Sequence, residues 1–340
     1  MTGVVTRAEP GSLAGSIIGL VGHGVTGGRV AVHLASRQAR IAVHDPAPSI
    51  SARGAATVRV DAALDLASCD LVVLCQPAPH LELAERFLAA GTPVVSLSDD
   101  LDDLTAMLEL QPAAVAAGVG LVVGAGMSPG LSGLLAAFLA EQLHVVDELH
   151  VAIHGTAGPA CARQHHEALG DTALGWHDDA WIEPPGGSGR DLVWFPEPIG
   201  AHDCYRAALG DPLLLHRAFP RATRISARVS ATRRDRLTAR LPMLTPPHAS
   251  GDLGSVRVEA RGAAADGERV TVIAGASGPT AHLAAAACAA TALQVLASGV
   301  APGVHVLGEH ALAGLDLLHH TTGFGVRVQE FTGVARPTSW

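Results

Sequence analysis

Lysine is absent from this chain; all 23 of its basic side chains are arginines. That absence excludes any mechanism built on a lysine base or a lysine Schiff base. Acid–base chemistry is left to His, Asp, Glu, Tyr, Cys or a bound water. Aromatic residues make up 3% of the chain and include one tyrosine, so its cores have to be assembled from Ala, Val and Leu. No basic run is longer than Arg233-Arg234 and the net charge is −9. The concentrated basic face that nucleic-acid binding requires is therefore missing. The five cysteines (Cys69, Cys75, Cys161, Cys204 and Cys288) are odd in number and contain no Cys-x-x-Cys pair. They read as reduced thiols in a cytoplasmic setting. Residues 1–15 lack the apolar stretch of a secretion signal. The most apolar long segment, 281–298, is interrupted by His282, Thr291 and Gln294. It reads as a buried helix rather than a membrane span.

At 340 residues the chain is long enough for two domains, each with its own core. Residues 1–13 read as a loose tail. Continuous apolar runs at 16–21, 41–44, 71–75, 93–97 and 119–123 have the length and texture of strands buried on both faces. Helix-compatible stretches such as 29–37, 80–90 and 101–110 separate several of them. Strands alternating with helices imply parallel βαβ units, hence a doubly wound Rossmann-type sheet over residues 14–146. From about residue 147 the apolar residues alternate instead, at 149–154, 224–230, 255–260 and 269–273, with the hairpin pair Asp266-Gly267 between the last two. Residues 147–279 therefore read as an α+β domain with a mostly antiparallel sheet. A return segment, 280–320, is expected to pack on the first domain.

Gly22-His23-Gly24-Val25-Thr26-Gly27 follows the first strand directly and opens a helix, and Asp45 ends the next strand 18 residues past Gly27. That context supports a dinucleotide fingerprint. Gly22 permits the tight turn, Gly24 the approach of a pyrophosphate, and Gly27 close helix–strand packing. Asp45 suits the ribose hydroxyls of NAD, whereas Arg53 could clamp the 2′-phosphate of NADP. Gln76 and Pro77 end another strand and are placed along the nicotinamide ribose, with Cys75 read as a core thiol. Ser98 and Asp99 either face the nicotinamide or, with Asp100, cap the helix that follows.

The segment Gly124-Ala125-Gly126-Met127-Ser128-Pro129-Gly130-Leu131 joins a glycine cluster to a Pro-Gly-Leu turn that opens a helix. Together with Trp194-Phe195-Pro196-Glu197-Pro198 and the segment 253–259, it resembles the saccharopine dehydrogenase-like reductases. The resemblance spans residues 16–310. It implies a dimeric two-domain oxidoreductase acting on an amino acid or an imine, with Met127, Ser128 and Pro129 beside the nicotinamide and Gly130 in the same turn. A lysine–histidine pair, used by the separate oxidative saccharopine dehydrogenases, cannot exist here.

For the substrate, small residues before Arg163, His165 and His166 suit an anion at a helix start. Cys161, His165 and His166 lack a fourth ligand at a recognisable spacing, so no metal is expected. Trp176 joins the substrate candidates. His202 could donate a proton to an imine nitrogen, with Tyr205 and Arg206 binding a carboxylate. Asp99 is a third catalytic candidate, and Arg233, Arg234 and Arg236 read as a solvated strand end. The resulting expectation is an NAD(P)-dependent oxidoreductase working at a C–N bond of a small amino-acid-like substrate. The alternatives are a C=C or C=O reductase, a dinucleotide-binding protein without turnover, and a lyase or cyclase that retains its NAD.

Overall fold

The structure, a computed structural model, describes residues 13–46, 57–244, 246 and 253–331. Its first half builds a sheet from β1 (Ile17–Val21), β2 (Arg40–His44), β3 (Thr57–Arg59), β4 (Leu71–Leu74), β5 (Val94–Ser96) and β6 (Gly120–Val123). Helices α1 (Val25–Ala35), α2 (Leu81–Ala89), α3 (Leu101–Leu108), α4 (Gln111–Ala117) and α5 (Leu131–Ala140) cover it. Strands β4, β5 and β6 are buried along their whole length, which is why they read as unbroken apolar runs. Helix α3 starts where Asp100 accepts a hydrogen bond from the Asp103 backbone N–H at 2.9 Å.

The second half contains β7 (Val145–His154), α6 (Pro159–Gly170), β8 (Gly175–His177), β9 (Ala180–Ile182), β10 (Asp191–Phe195), β11 (Gly200–Arg206), α7 (Asp211–Ala218), β12 (Arg224–Ser230), α8 (Arg233–Thr238), β13 (Leu253–Ala263) and β14 (Arg269–Pro279). The chain then forms α9 (Thr280–Ser298), β15 (Gly303–Val306), α10 (Gly314–Gly323) and β16 (Val328–Glu330). The parallel sheet has the order β15-β6-β5-β4-β1-β2-β3, so β15 extends it beyond β6. The second sheet runs β10-β11-β12-β7-β13-β14-β16, with the β8–β9 hairpin attached to β12. It is mostly antiparallel but mixed, because β12 pairs β7 in parallel.

Arg233, Arg234 and Arg236 do not end a strand. Thr232 and Asp235 form a capping box that starts α8 there, and this local bonding outweighs strand continuation. Helix α9 is buried on nearly all sides and packs against α1 and α10, as its alanines allow close approach. It is the one helix among the described residues with the length and hydropathy of a membrane span, and 72% of that stretch is buried inside the fold. Helix α7 ties the two halves together. Its Arg217 donates to Glu309 at 2.7 Å and to the Val304 carbonyl at 2.5 Å, both at the β15 end of the parallel sheet.

Candidate active site

The parallel sheet reverses its strand order between β1 and β4. Ligands of open α/β sheets bind at such a switch point, outside the carboxyl ends of the strands. A cleft of about 650 Å³ lies there, closed on its other side by Ile153 of β7, the start of α6 and the first turn of α9. Its lining joins Gly22, Gly24, Val25, Thr26 and Asp45 to Gln76 and Pro77, then to Asp99, Met127, Ser128 and His165.

The three glycines of the opening turn have three different surroundings. A Cβ on Gly22, whose φ is +89°, would lie 2.5 Å from the Gln76 backbone nitrogen, and one on Gly27 would lie 2.1 Å from the Gly22 carbonyl oxygen. Both positions are closed by the protein's own backbone. A Cβ on Gly24 would meet nothing within 4 Å and would project into open space beside the cleft. No packing demand among the described residues explains glycine there. Gly24 is also the N-cap of α1 and brings no side-chain cap, so the first amides of that helix are presented to the cleft. Asp45 holds the turn from the side, accepting the His23 N–H at 2.6 Å. Arg59 donates to the Asp45 carbonyl at 2.7 Å. Arg53 lies outside the described residues.

Sequence patterns gave no hint of the support beneath the cleft. Fully buried His80 bridges the Gln76 carbonyl (2.7 Å, from Nε2) and the Ser96 hydroxyl (2.8 Å, at Nδ1). A carbonyl can only accept, so Nε2 carries the proton and Nδ1 accepts from Ser96. Burial lowers the His80 pKa, which agrees with a neutral ring. The Ser96 hydroxyl in turn accepts the Ser98 N–H at 3.2 Å, so Ser98 is a buried strut that does not line the cleft. Both polar atoms of the Gln76 amide are buried without a protein partner, at a position that lines the cleft.

The Met127–Ser128 wall is set by a tight turn. Gly126 N–H donates to the Pro129 carbonyl and Leu131 N–H to the Gly126 carbonyl, each at 3.0 Å. Gly130 has φ +133°, and a Cβ there would lie 2.2 Å from the Gly126 oxygen. Pro129 and Gly130 therefore sit behind the wall, around a small void, rather than on the cleft. Buried Asp211, the first residue of α7, accepts the Ser128 and Ser132 hydroxyls, each at 2.5 Å. Burial raises its carboxyl pKa and the two hydroxyl donors lower it, with burial the stronger.

At the far end, Asp99 from the end of β5 meets Cys161, Gln164 and His165 of α6. Spacings of three and four residues put those helical side chains on one face. Cys161 Sγ lies 3.8 Å from His165 Nε2, and the ligand-type atoms of Asp99, Cys161 and His165 all fall within 4.8 Å of one another. Enclosure by protein raises the Asp99 carboxyl, while His165 and a hydrogen bond from Gln164 pull it back. The same enclosure lowers His165 and pushes the Cys161 thiol up to about 12. The segment 98–100 thus divides its roles: Asp100 caps α3 and Asp99 faces the cleft.

Several expected site residues are elsewhere. His202 points to the outer face of the second sheet, where its ring lies 4.4 Å from that of His154, because alternation along β11 turns it away from the cleft. Tyr205 faces the other way and is buried in the core under the Arg236 guanidinium, 4.3 Å from its ring centre. Arg206 pairs its backbone with Ser188 and packs its guanidinium beside Gly189. Trp176 stacks on His216 at 4.0 Å and meets Trp181 edge-on. Arg163 is exposed on α6, and His166, one residue past His165, turns away to reach the Leu241 carbonyl at 2.8 Å. Asp99 takes the place that the sequence pattern offered to His166, a partner 66 residues upstream of His165 that spacing could not reveal.

These two sheets and the cleft at their junction define a two-domain α/β fold with a Rossmann half. More particularly, the fold is similar to that of saccharopine dehydrogenase (L-Glu forming) from Saccharomyces cerevisiae: 16% identity, 94% of this chain and 100% of that one covered, TM-score 0.64. A meso-DAP dehydrogenase variant from Clostridium tetani also matches, with 14% identity, 85% and 93% coverage and TM-score 0.46. So does a probable dehydrogenase from Thermotoga maritima, with 13% identity, 94% and 100% coverage and TM-score 0.46. No family model matches the chain, and no curated protein matches it in sequence.

Proposed function

We propose that the protein is an NAD-dependent oxidoreductase that moves a hydride at a C–N bond of a small amine or imine. The observation that carries this reading is Gly24, a glycine demanded by no neighbour among the described residues, at the start of a helix whose amides face the cleft. The residues fit the dinucleotide along its length. Gly24, Val25 and Thr26 would hold the pyrophosphate, Asp45 the adenosine ribose and the Gln76 amide the polar groups farther in. The bound nicotinamide supplies or accepts the hydride at C4. Met127 and Ser128 then form the wall that excludes water from the reacting centre, and Asp99, Cys161, Gln164 and His165 form its polar end.

The choice of a C–N bond is supported by charge. Among the described lining residues, Asp45 and Asp99 are the acidic side chains and no arginine is present. Arg163 and Arg206, expected to bind an anionic group of the substrate, do not line the cleft, so the proposed amine or imine needs no acid group for recognition there.

Fluorescence titration with NADH and NADPH tests the reading. NADH is expected to bind more tightly, and Asp45→Ala to weaken it about tenfold, or about 1.4 kcal/mol. Binding of neither nucleotide would end the proposal, and an unchanged NADH affinity in Asp45→Ala would end the ribose assignment. A screen of amines with NAD follows. His202→Ala and Arg206→Ala are expected to keep NADH affinity and amine turnover within about twofold of wild type, like other substitutions outside a site. A loss well beyond that in steady-state kinetics would return these residues to the mechanism.

A further inference from the structure

We propose that Asp99, Cys161 and His165 form a mononuclear zinc site at the polar end of the cleft, with one coordination position open to the substrate. The inference deepens the reading above and rests on it only for what occupies the open position.

The donor set is one carboxylate oxygen, one sulfur and one imidazole nitrogen. Three protein ligands of these types, with a fourth position left for water or substrate, is the pattern of catalytic rather than structural zinc. Zn–S and Zn–N bonds of ~2.3 and ~2.0 Å meeting at a tetrahedral angle separate sulfur from nitrogen by about 3.5 Å. Cys161 Sγ and His165 Nε2 stand 3.8 Å apart before any ion draws them in, and Asp99 brings its oxygen within 4.8 Å of both. The i, i+4 spacing on α6 points the two helical ligands along one face, as metal-binding helices do. Asp99 arrives from the other half of the molecule, so an ion here would bridge the two halves across the cleft.

Two further features favour a metal over a bare cluster. Gln164 donates a hydrogen bond to the Asp99 side chain, the kind of outer partner that orients a ligating carboxylate. No arginine is present among the described residues of the cleft lining to neutralise the enclosed carboxylate. A buried carboxylate and a thiol are poor neighbours without a positive charge. A divalent ion supplies that charge and converts the thiol to its ligating form. Met127 and Ser128 line the same cleft, and a substrate nitrogen bound there can take the open position and be polarised.

Cobalt provides the probe, because it replaces zinc and reports its own geometry. The full chain, stripped with a chelator, is titrated with Co²⁺ alone and then with Zn²⁺, while the visible and near-ultraviolet spectra are followed. One equivalent is expected to give intense tetrahedral d–d bands and a thiolate-to-cobalt charge-transfer band, both bleached by one equivalent of Zn²⁺. Cys161→Ser is expected to remove the charge-transfer band and weaken binding by about tenfold or more, and Asp99→Asn and His165→Gln to weaken it similarly. His166→Gln, on the same helix but turned away, keeps the wild-type spectrum. Absence of these bands in the wild-type protein overturns the site, as does a charge-transfer band that survives Cys161→Ser. The wild-type spectrum decides the matter even where a variant does not fold. NADH titration of the same stripped protein separates the two readings. NADH binding without a cobalt signal sinks the zinc site alone, and a cobalt signal without NADH binding sinks the cofactor reading alone.

Discussion

Replacing Gly24 with valine is expected to weaken NADH binding at least a hundredfold, about 2.7 kcal/mol, and to leave thermal stability nearly unchanged. The two halves of that result have separate causes. The Gly24 backbone has φ −76°, a conformation open to residues with a side chain, and an added Cβ meets no atom of the described residues within 4 Å. The folded chain therefore has room for the first carbon of the added side chain, which valine extends into the open space beside it. The space it fills is the one through which a pyrophosphate would approach the α1 amides. Gly27→Ala is the control with the opposite signature. Its Cβ would lie 2.1 Å from the Gly22 carbonyl oxygen, a backbone atom that cannot rotate aside. The cost of such overpacking is about 1–3 kcal/mol or more. At ~2–4 °C per kcal/mol for a chain of this class, the melting temperature should fall visibly. Isothermal titration and a melting scan of the two variants decide the point. If Gly24→Val binds NADH like wild type, the cofactor is not where the turn suggests.

The legible parts of the fold were those written in consecutive residues. The glycine turn and Asp45 belong to two adjacent strands, and the buried strands β4, β5 and β6 are unbroken apolar runs. The strand β12 and the helix α9 could be read nearly to their ends because alternation and alanine content persist over their lengths. Alternation did not reveal that β12 lies parallel to β7, since the inward and outward pattern is the same in either orientation. The polar end of the cleft was legible only in pieces. Asp99 and His165 each stand out in the sequence, but their meeting depends on how α6 lies beside the segment that follows β5. His80 and Asp211 passed unnoticed because they act on backbone and hydroxyl groups that carry no motif. His202 and Tyr205 drew attention through residue type alone, and strand alternation, applied to β11, would have shown that at most one of them could face the cleft.

Asp211→Ala is expected to be the most destabilising single substitution near the cleft, by about 2–6 kcal/mol in equilibrium urea unfolding, because it strands two buried hydroxyls at ~1–3 kcal/mol each. Ser128 and Ser132 both donate to this carboxylate, Ser132 from a small void walled by Leu214, Leu215 and Leu307 and Ser128 from the wall of the cleft. Loss of Asp211 also frees Ser128, so NADH affinity should fall along with stability. Asp211→Asn separates shape from charge, since an amide of the same size can accept from one serine and donate to the other. Burial holds the Asp211 carboxyl above its ordinary pKa, so the folded state binds this proton more tightly than the unfolded state does. The group's contribution to stability is therefore present in full below the ordinary aspartate pKa and is lost as pH rises through the raised one. Asparagine does not titrate. Relative to wild type, Asp211→Asn should gain stability as pH increases across that window, while Asp211→Ala stays below both at every pH. Parallel pH curves for wild type and Asp211→Asn would show that the carboxylate is not under the strain its burial implies. A cost for Asp211→Ala no larger than that of a surface substitution would remove the residue from the support of the Met127–Ser128 wall.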